Sequence, residues 1–211
     1  MTGSAIATPW ESENIPAIVN AWYGGQSAGT AIADVLFGDY NPAGRLPVTF
    51  YKSDNDLPDF SSYSMENRTY RYFKGDPLYG FGYGLSYTSF LYDQLKVPSI
   101  AGVGKKVSVS VRLTNTGKMN GEEVVQLYVS NENKTIKAPL KALKGFKRIS
   151  LKAGESKIVQ FQLTPEHLST VDDKGVLKQN KGGIMISIGG GQPGEKNKTT
   201  SNVVKGYIAI K

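Results

Sequence analysis

The chain has 211 residues, of which 39% are hydrophobic and 20% charged, and this length allows one or two domains with a buried core. It contains no cysteine, which excludes disulfide bonds and thiolate metal sites. No apolar run approaches the roughly 20 residues of a membrane-spanning helix, and residues 1–4 show no secretion signal. The formal net charge is +7, but the lysines are spread along the chain, as at Lys141, Lys144 and Lys147, a pattern typical of solvated strand faces. We therefore expect no nucleic-acid partner and no membrane span.

Two helices are predicted in the first third of the chain. Apolar residues at helical spacing indicate a helix over residues 15–23, with Asn14 as its N-cap. A second apolar stripe predicts a helix over residues 27–37, and Gly38 supplies the residue that ends it.

Two strands are predicted around these helices. Residues 3–8 are mostly apolar and indicate the end of a buried strand, and residues 46–51 are rich in β-branched and aromatic side chains. Two helices and two strands are too few to cover both faces of a parallel sheet, so this α/β segment is expected to be incomplete. We expect it to expose apolar side chains that require a partner, namely Ile6, Trp22, Leu36 and Val48.

The middle of the chain separates two kinds of pattern. Residues 52–76 are polar and rich in turn formers, which predicts a long loop that is functional or held against a neighbour. Residues 77–90, PLYGFGYGLSYTSF, alternate glycine with aromatic rings. Glycine allows tight turns and each ring can bury a large apolar area, so this stretch predicts a docking segment between two packed bodies and not a flexible linker.

From Phe90 onward the hydrophobic period is two. Val107, Val109, Val111 and Leu113 alternate with polar residues, and turn signals separate this run from similar ones near residues 125–129, 143–151, 158–163, 184–188 and 206–210. About seven short strands predict an immunoglobulin-like β-sandwich. The fold class is therefore mixed, with an incomplete α/β segment followed by an all-β sandwich.

Four motifs in order carry a resemblance to a known family. They are AWYGGQ at 21–26, ADVLFGDYNPAGRLPVTF at 33–50, NRTYRYF at 67–73 and the glycine-aromatic run at 77–90. Together they resemble the C-terminal part of glycoside hydrolase family 3, the β-glucosidases and β-xylosidases, with 67–73 more similar to the β-xylosidase branch. The resemblance implies three parts: the end of the α/β-sandwich domain at 1–75, a docking linker at 76–90 and a fibronectin type III-like β-sandwich at 91–211.

The resemblance also implies where the chemistry lies. Retaining glycosidases use two carboxyl groups, one as nucleophile and the other as acid/base. In this family the nucleophile is an aspartate on a barrel domain and the acid/base is commonly a glutamate earlier in the sandwich domain, and no position of this sequence matches either motif. We therefore expect no catalytic, cofactor-binding or metal-binding residue in the chain and no cofactor.

Acidic candidates remain to be weighed. Glu11 and Glu13 flank a possible loop next to Trp10 and could provide an acid of raised pKa beside an indole. The alternative is that Trp10 packs while the glutamates favour the start of a following helix. Asp34 and Asp39 are expected to serve capping or turns.

Other motifs have structural interpretations as well. Arg45 is expected to pair with a carboxylate, and His167, the single histidine, is expected to be an exposed or half-buried turn residue. Residues 80–84 lack the strand and helix that a phosphate loop requires. Residues 54–56 could attract calcium but lack the glycine and glutamate of a ligand loop, so a solvated loop is favoured.

The sequence thus predicts the structural C-terminal portion of a retaining exo-β-glycosidase that is secreted or periplasmic. We expect this portion to be inactive alone. Its expected partners are the barrel and upstream sandwich portion of the enzyme and, in the full enzyme, a saccharide. The alternatives are a β-sandwich module that binds carbohydrate or protein, and an architectural domain that forms dimers. Saccharide binding would favour the first alternative, and a concentration-dependent mass the second.

Overall fold

The structure, a computed structural model, describes residues 1–133, 136 and 138–211. An irregular segment with three short helices precedes a β-sandwich, as the predicted fold class requires. The helices are α1 (Pro9–Asn14), α2 (Ala28–Phe37) and α3 (Thr69–Tyr72). The strands are β1 (Phe90–Lys96), β2 (Ile100–Ala101), β3 (Val107–Asn115), β4 (Gly121–Asn131), β5 (Ala142–Leu151), β6 (Ser156–Leu163), β7 (Thr170–Val171), β8 (Leu177–Lys178), β9 (Gly182–Gly189) and β10 (Val203–Ile210).

Two sheets enclose the core of the sandwich. One has three strands in the order β1-β3-β6, and the other has five in the order β2-β10-β9-β4-β5. Neighbouring strands are antiparallel except that β2 runs parallel to β10, and β7 and β8 form a separate short hairpin. The core consists of the inward-facing side chains of both sheets, among them Tyr92, Val109, Leu113, Leu127, Leu163, Ile186 and Ile208.

Strand β3 shows how the alternation produces this core. Its four predicted apolar positions are each at most 2% exposed, while the residues between them face outward. Each buried valine or leucine contributes about 1.5–3 kcal/mol relative to an exposed one. In β6 the pattern is shifted, because Val159 takes the core position and Ile158, the first residue of the predicted apolar run at 158–163, is 58% exposed.

Strand β4 departs from simple alternation because both of its faces are covered. Val125 and Leu127 face the core as predicted, but Gln126 and Tyr128, expected on the outer face, are 2% and 0% exposed. The N-terminal segment lies on that outer face, where Tyr70 contacts Tyr128 and Gly82 contacts Gln126.

One of the two predicted helices is present in the structure and the other is not. Helix α2 covers the second predicted helix, and Gly38 ends it in the left-handed conformation at φ 86°. The prediction of a helix over residues 15–23 was wrong, since helix α1 ends at Asn14 and the chain continues without regular structure. Ile15 precedes Pro16, and a residue before proline is disfavoured in the helical conformation. The apolar side chains of this stretch also have little to pack against, as Ile18 and Val19 are 46% and 51% exposed.

Both strands predicted in the first third were also wrong. Residues 3–8 form no ladder, and Pro9 starts helix α1, a position that proline favours. Within 46–51 only Phe50 forms a bridge, to Tyr79 of the docking segment. The docking segment runs beside residues 46–50 and exchanges backbone hydrogen bonds with Leu46 and Phe50, but these bonds do not continue into a ladder.

The predicted apolar surface is present with one exception. Ile6, Leu36 and Val48 are 46%, 62% and 41% exposed. Trp22 is instead half-buried and meets the ring of Phe50 edge-on, with centroids 6.1 Å apart. The α/β segment therefore exposes aliphatic side chains and also aromatic ones, such as Tyr23 at 76% and Phe37 at 84%, while Trp22 packs on Phe50.

Candidate functional site

The most organised polar site among the described residues is the junction where the N-terminal segment meets the sandwich. Arg45 reaches Glu123 near the start of β4, with Nη2 and Oε2 2.6 Å apart, and the two side chains are 6% and 0% exposed. Arg45 Nε also donates to the carbonyl of Gly190, at 3.2 Å. The expectation that Arg45 pairs with a carboxylate is confirmed.

Glu123 is fully engaged by its neighbours. The hydroxyl of Tyr92 donates to Oε1 at 3.0 Å, and Ser201 also hydrogen-bonds to the carboxylate. Burial raises the pKa of the Glu123 carboxyl, while the Arg45 charge and these hydrogen bonds oppose that shift. Burial also raises the pKa of Tyr92 well above its usual value, reinforced by the adjacent Glu123 charge. A carboxylate with no exposed surface and both oxygens bonded has no access to a glycosidic bond, so its role is structural.

A second set of hydrogen bonds secures the backbone of the docking segment. Gln126 Nε2 donates to the carbonyls of Gly82 and Gly190, at 3.0 and 2.9 Å, and its Oε1 accepts from Tyr128 at 2.6 Å. Gly82 has φ 78°, and a Cβ there would collide with the Gln126 amide. Glycine is therefore required at this position by both conformation and space.

Aromatic contacts continue the junction on either side of Gly82. Phe81 stacks on Tyr70 with centroids 4.2 Å apart, and Tyr70 meets Tyr128 edge-on at 6.1 Å. Tyr79 stacks on Tyr83 at 5.2 Å. The Tyr70–Tyr128 pair crosses to the sandwich, and the other two pairs pack the rings of the docking segment against each other and against helix α3.

Neither acidic candidate pair lies at this junction. Trp10 is 64% exposed, so the expectation that it packs was wrong, and Glu11 and Glu13 lie exposed on the six-residue helix α1. Asp34 lies within helix α2, where its carbonyl accepts from Tyr40, and Asp39 is exposed just beyond Gly38.

The remaining motifs have local roles. His167 lies half-buried in a 3-10 turn, where Nδ1 accepts from the Thr164 N–H at 3.3 Å. Asp54–Asp56 forms a 3-10 helix capped by Ser53, and Asp56 accepts from the N–H groups of Lys52 and Ser53. The Gly80 N–H donates to Glu195.

Neither a metal cluster nor a membrane-spanning helix occurs in the described part of the chain. No group of three or more His, Cys, Asp or Glu residues there is placed to hold a metal ion. None of its helices is both long and apolar enough to cross a membrane.

Sequence reasoning missed Glu123 as the partner of Arg45. The sequence held a signal, because alternate residues of a strand face the same side and Glu123 alternates with Val125, Leu127 and Val129 on the core side of β4. A charge on the core side of a strand needs a buried partner. The partner lies 78 residues away in sequence, and no local pattern identifies it.

The fold and the junction together define the class of the chain, an α/β element secured to a fibronectin type III-like sandwich. Residues 1–87 match the model of the glycosyl hydrolase family 3 C-terminal domain, and residues 123–192 match that of the fibronectin type III-like domain. The chain therefore carries the C-terminal domain of glycoside hydrolase family 3, followed by a fibronectin type III-like domain.

Individual relatives agree with this assignment. A xylan 1,4-beta-xylosidase of Xylanibacter ruminicola is 53% identical over 171 residues, which are 81% of this chain and 20% of the relative. A periplasmic beta-glucosidase of Salmonella typhimurium is 42% identical over 182 residues, covering 80% of this chain and 24% of the relative. The structure of beta-glucosidase 3B from Thermotoga neapolitana superposes with a TM-score of 0.86 at 30% identity, over 99% of this chain and 30% of that one. The chain thus spans between a fifth and about three tenths of the length of these enzymes.

Proposed function

We propose that this chain is the C-terminal structural portion of a retaining, exo-acting β-glycosidase, of β-xylosidase or β-glucosidase type, that removes terminal β-linked sugars. The observation that carries the proposal is the buried Arg45–Glu123 pair with the hydrogen bonds around it, which fixes the α/β segment on the sandwich. Both charged side chains are engaged in this contact. The names of the relatives support the reaction class.

In this proposal the chain holds the enzyme together and provides no catalytic, cofactor-binding or metal-binding residue. The nucleophile and the acid/base lie on an upstream barrel and sandwich portion. Residues 1–75 complete the α/β-sandwich domain, 76–90 brace it, and 91–211 form the fibronectin type III-like domain along one rim of the cleft.

The exposed apolar side chains of the first third are the proposed contact with the upstream portion. Ile6, Ile18, Leu36 and Phe37 are between 46% and 84% exposed, and burying such side chains is the main driving force of association. A secreted or periplasmic location is proposed on the basis of the periplasmic relative.

The test is hydrolysis of aryl β-xyloside and aryl β-glucoside. The 211-residue chain is assayed alone and after mixing with the upstream portion of the Xylanibacter ruminicola relative. We expect no turnover by either part alone and turnover by the mixture. Turnover by the chain alone would place a catalytic pair within it and contradict the proposal, and Glu11→Gln and Glu13→Gln would then be the first variants to examine.

A further inference from the structure

A small cavity lies between helix α3 and the sandwich, and positively charged side chains line it. Its volume is about 130 Å³, and its lining includes Arg71 of helix α3, Lys144 of β5 and His167 of the 3-10 turn, beside the buried Leu168 and Ile184. None of the described residues that line it is acidic. Two cations therefore share one small space without a carboxylate to neutralise them.

Arg71 carries an unsatisfied donor in this lining. Its guanidinium lies over the ring of Tyr72, with Cζ 5.6 Å from the ring centroid. Its Nε is buried and has no hydrogen-bond partner among the described residues. A buried donor left unpaired is costly, and more so when the group is charged. An acceptor bound in the cavity would remove this cost.

Lys144 is placed beside Arg71 by an irregularity in β5. The register between β4 and β5 shifts between Leu143 and Gly145, so Lys144 is the extra residue of a β-bulge, which redirects a side chain. Burial lowers the pKa of Lys144, and the charge of Arg71 lowers it further. The two cations are therefore close enough to repel each other, and docking of the N-terminal segment on the sandwich brings them together.

His167 adds a third donor to the lining. Its Nδ1 accepts a hydrogen bond from the Thr164 N–H at 3.3 Å, so the proton of the neutral ring is on Nε2. The lining thus combines a guanidinium, an ammonium and an imidazole N–H. Charged donors form strong hydrogen bonds with the oxygens of carboxylate and phosphate groups.

We propose that this cavity binds one small oxyanion from solution, a phosphate or a carboxylate, between Arg71 and Lys144. The planar guanidinium bonds two oxygens side by side, and the ammonium bonds another as a point charge. A water molecule would satisfy the Arg71 donor but would leave the two cations repelling each other. Sites for drug-sized ligands usually measure about 300–1,000 Å³, so this cavity fits only the anionic group. A bound anion joins the N-terminal segment to the sandwich, because each supplies one cation.

The test is titration of the 211-residue chain with inorganic phosphate and with acetate, at an ionic strength held constant with sodium chloride and followed by NMR. We expect saturable binding of at least one ion, with a dissociation constant of about 1 mM and a shift of the Arg71 Nε–H signal. The ion that binds more tightly identifies the group. Arg71→Gln and Lys144→Gln should each weaken binding about tenfold, because each removes a charged donor.

The matched control is Lys147→Gln on the same strand. The Lys147 ammonium lies 5.4 Å from the centroid of the Phe161 ring, and this residue does not line the cavity. The control should leave binding unchanged.

A second measurement follows the stability of the chain. At a ligand concentration ten times the dissociation constant, the equilibrium constant for unfolding should fall about elevenfold in the unaltered chain and in Lys147→Gln. The fall should be much smaller in Lys144→Gln. This variant alters the sandwich alone, so it keeps the test valid if Arg71→Gln does not fold.

Three outcomes would overturn the proposal. The first is the absence of saturable binding of both ions at about 10 mM, where the site should be nearly saturated. The second is binding that Arg71→Gln and Lys144→Gln both leave unchanged, which would place the ion elsewhere on the basic surface. The third is no ion binding together with weaker association of Lys144→Gln with the upstream portion, which would assign the cavity to an acidic side chain of that portion. None of these measurements involves turnover, so failure here leaves the mixing test of the proposed function intact.

Discussion

At the Arg45–Glu123 pair, two charges have been taken out of water to join segments that are distant in sequence. Desolvation of a buried pair can cancel its Coulombic gain, so such a pair is weak evidence for net stability. Breaking one is costly, because the remaining charge stays buried without compensation. We therefore interpret the pair as a device that fixes where the N-terminal segment docks.

The variant Glu123→Gln tests this interpretation. It removes one charge and leaves Arg45 buried at 6% exposure, so the free energy of unfolding should fall by about 3 kcal/mol in urea titrations. The adjacent Glu122→Gln is the control, because Glu122 pairs with Arg148 at the surface, where side chains are 37% and 52% exposed, and should cost about 0–1 kcal/mol. Equal losses in the two variants would contradict a special role for Glu123.

Tyr83 provides a pH-dependent reporter of the same junction. Burial, with the nearby Tyr79 and Glu195, raises the pKa of Tyr83 to about 12. The folded state therefore favours the neutral phenol, and this contribution is complete below pH 10 and is lost as the pH rises toward 12. Stability should fall across that window, and ultraviolet titration at the phenolate band should show a tyrosine that titrates near pH 12 and is absent in Tyr83→Phe.

At the scale of elements, the docking segment depends on glycine where the backbone approaches β4. Gly82→Ala should destabilise the chain by about 2–4 kcal/mol, since it combines the cost of a positive φ with displacement of the Gln126 amide. Gly104→Ala is the matched control, with nearly the same φ of 76° and open space around it. It should cost about 1–2 kcal/mol, and an equal loss at Gly82 would show that the contact with Gln126 contributes nothing.

The predictions of helices and strands succeeded where the residues of the element themselves favour that structure. Helix α2 has an apolar stripe and a glycine stop, and β3 has a period-two pattern whose inward face fills the core. The stretches at 15–23 and 46–51 have apolar residues too, but Ile15 is constrained by Pro16 and Phe50 finds only one bridging partner, Tyr79. Hydrophobic periodicity shows which face of an element could be buried. Burial also requires another part of the protein that covers this face.

At the scale of the whole molecule, the exposed apolar side chains of the first third should drive self-association of the isolated chain. Light scattering after gel filtration should show a mass that rises with concentration, and Leu36→Ser/Phe37→Ser should reduce that rise, because these side chains are 62% and 84% exposed. Phe146→Ser, on the sandwich, is the control and should not. A mass that stays constant with concentration in the unaltered chain would refute self-association.

By itself the sequence determined the β-sandwich, the docking segment and the family, because the alternation of apolar residues, the glycine-aromatic run and the four motifs are written in local order. Only the tertiary structure decided that Gln126 and Tyr128 are buried, that Glu123 pairs with Arg45 and that Phe60 and Tyr63 are exposed. The physical reason is that burial of an outward-facing side chain depends on which distant segment covers it, and that is set by packing and not by the residues on either side.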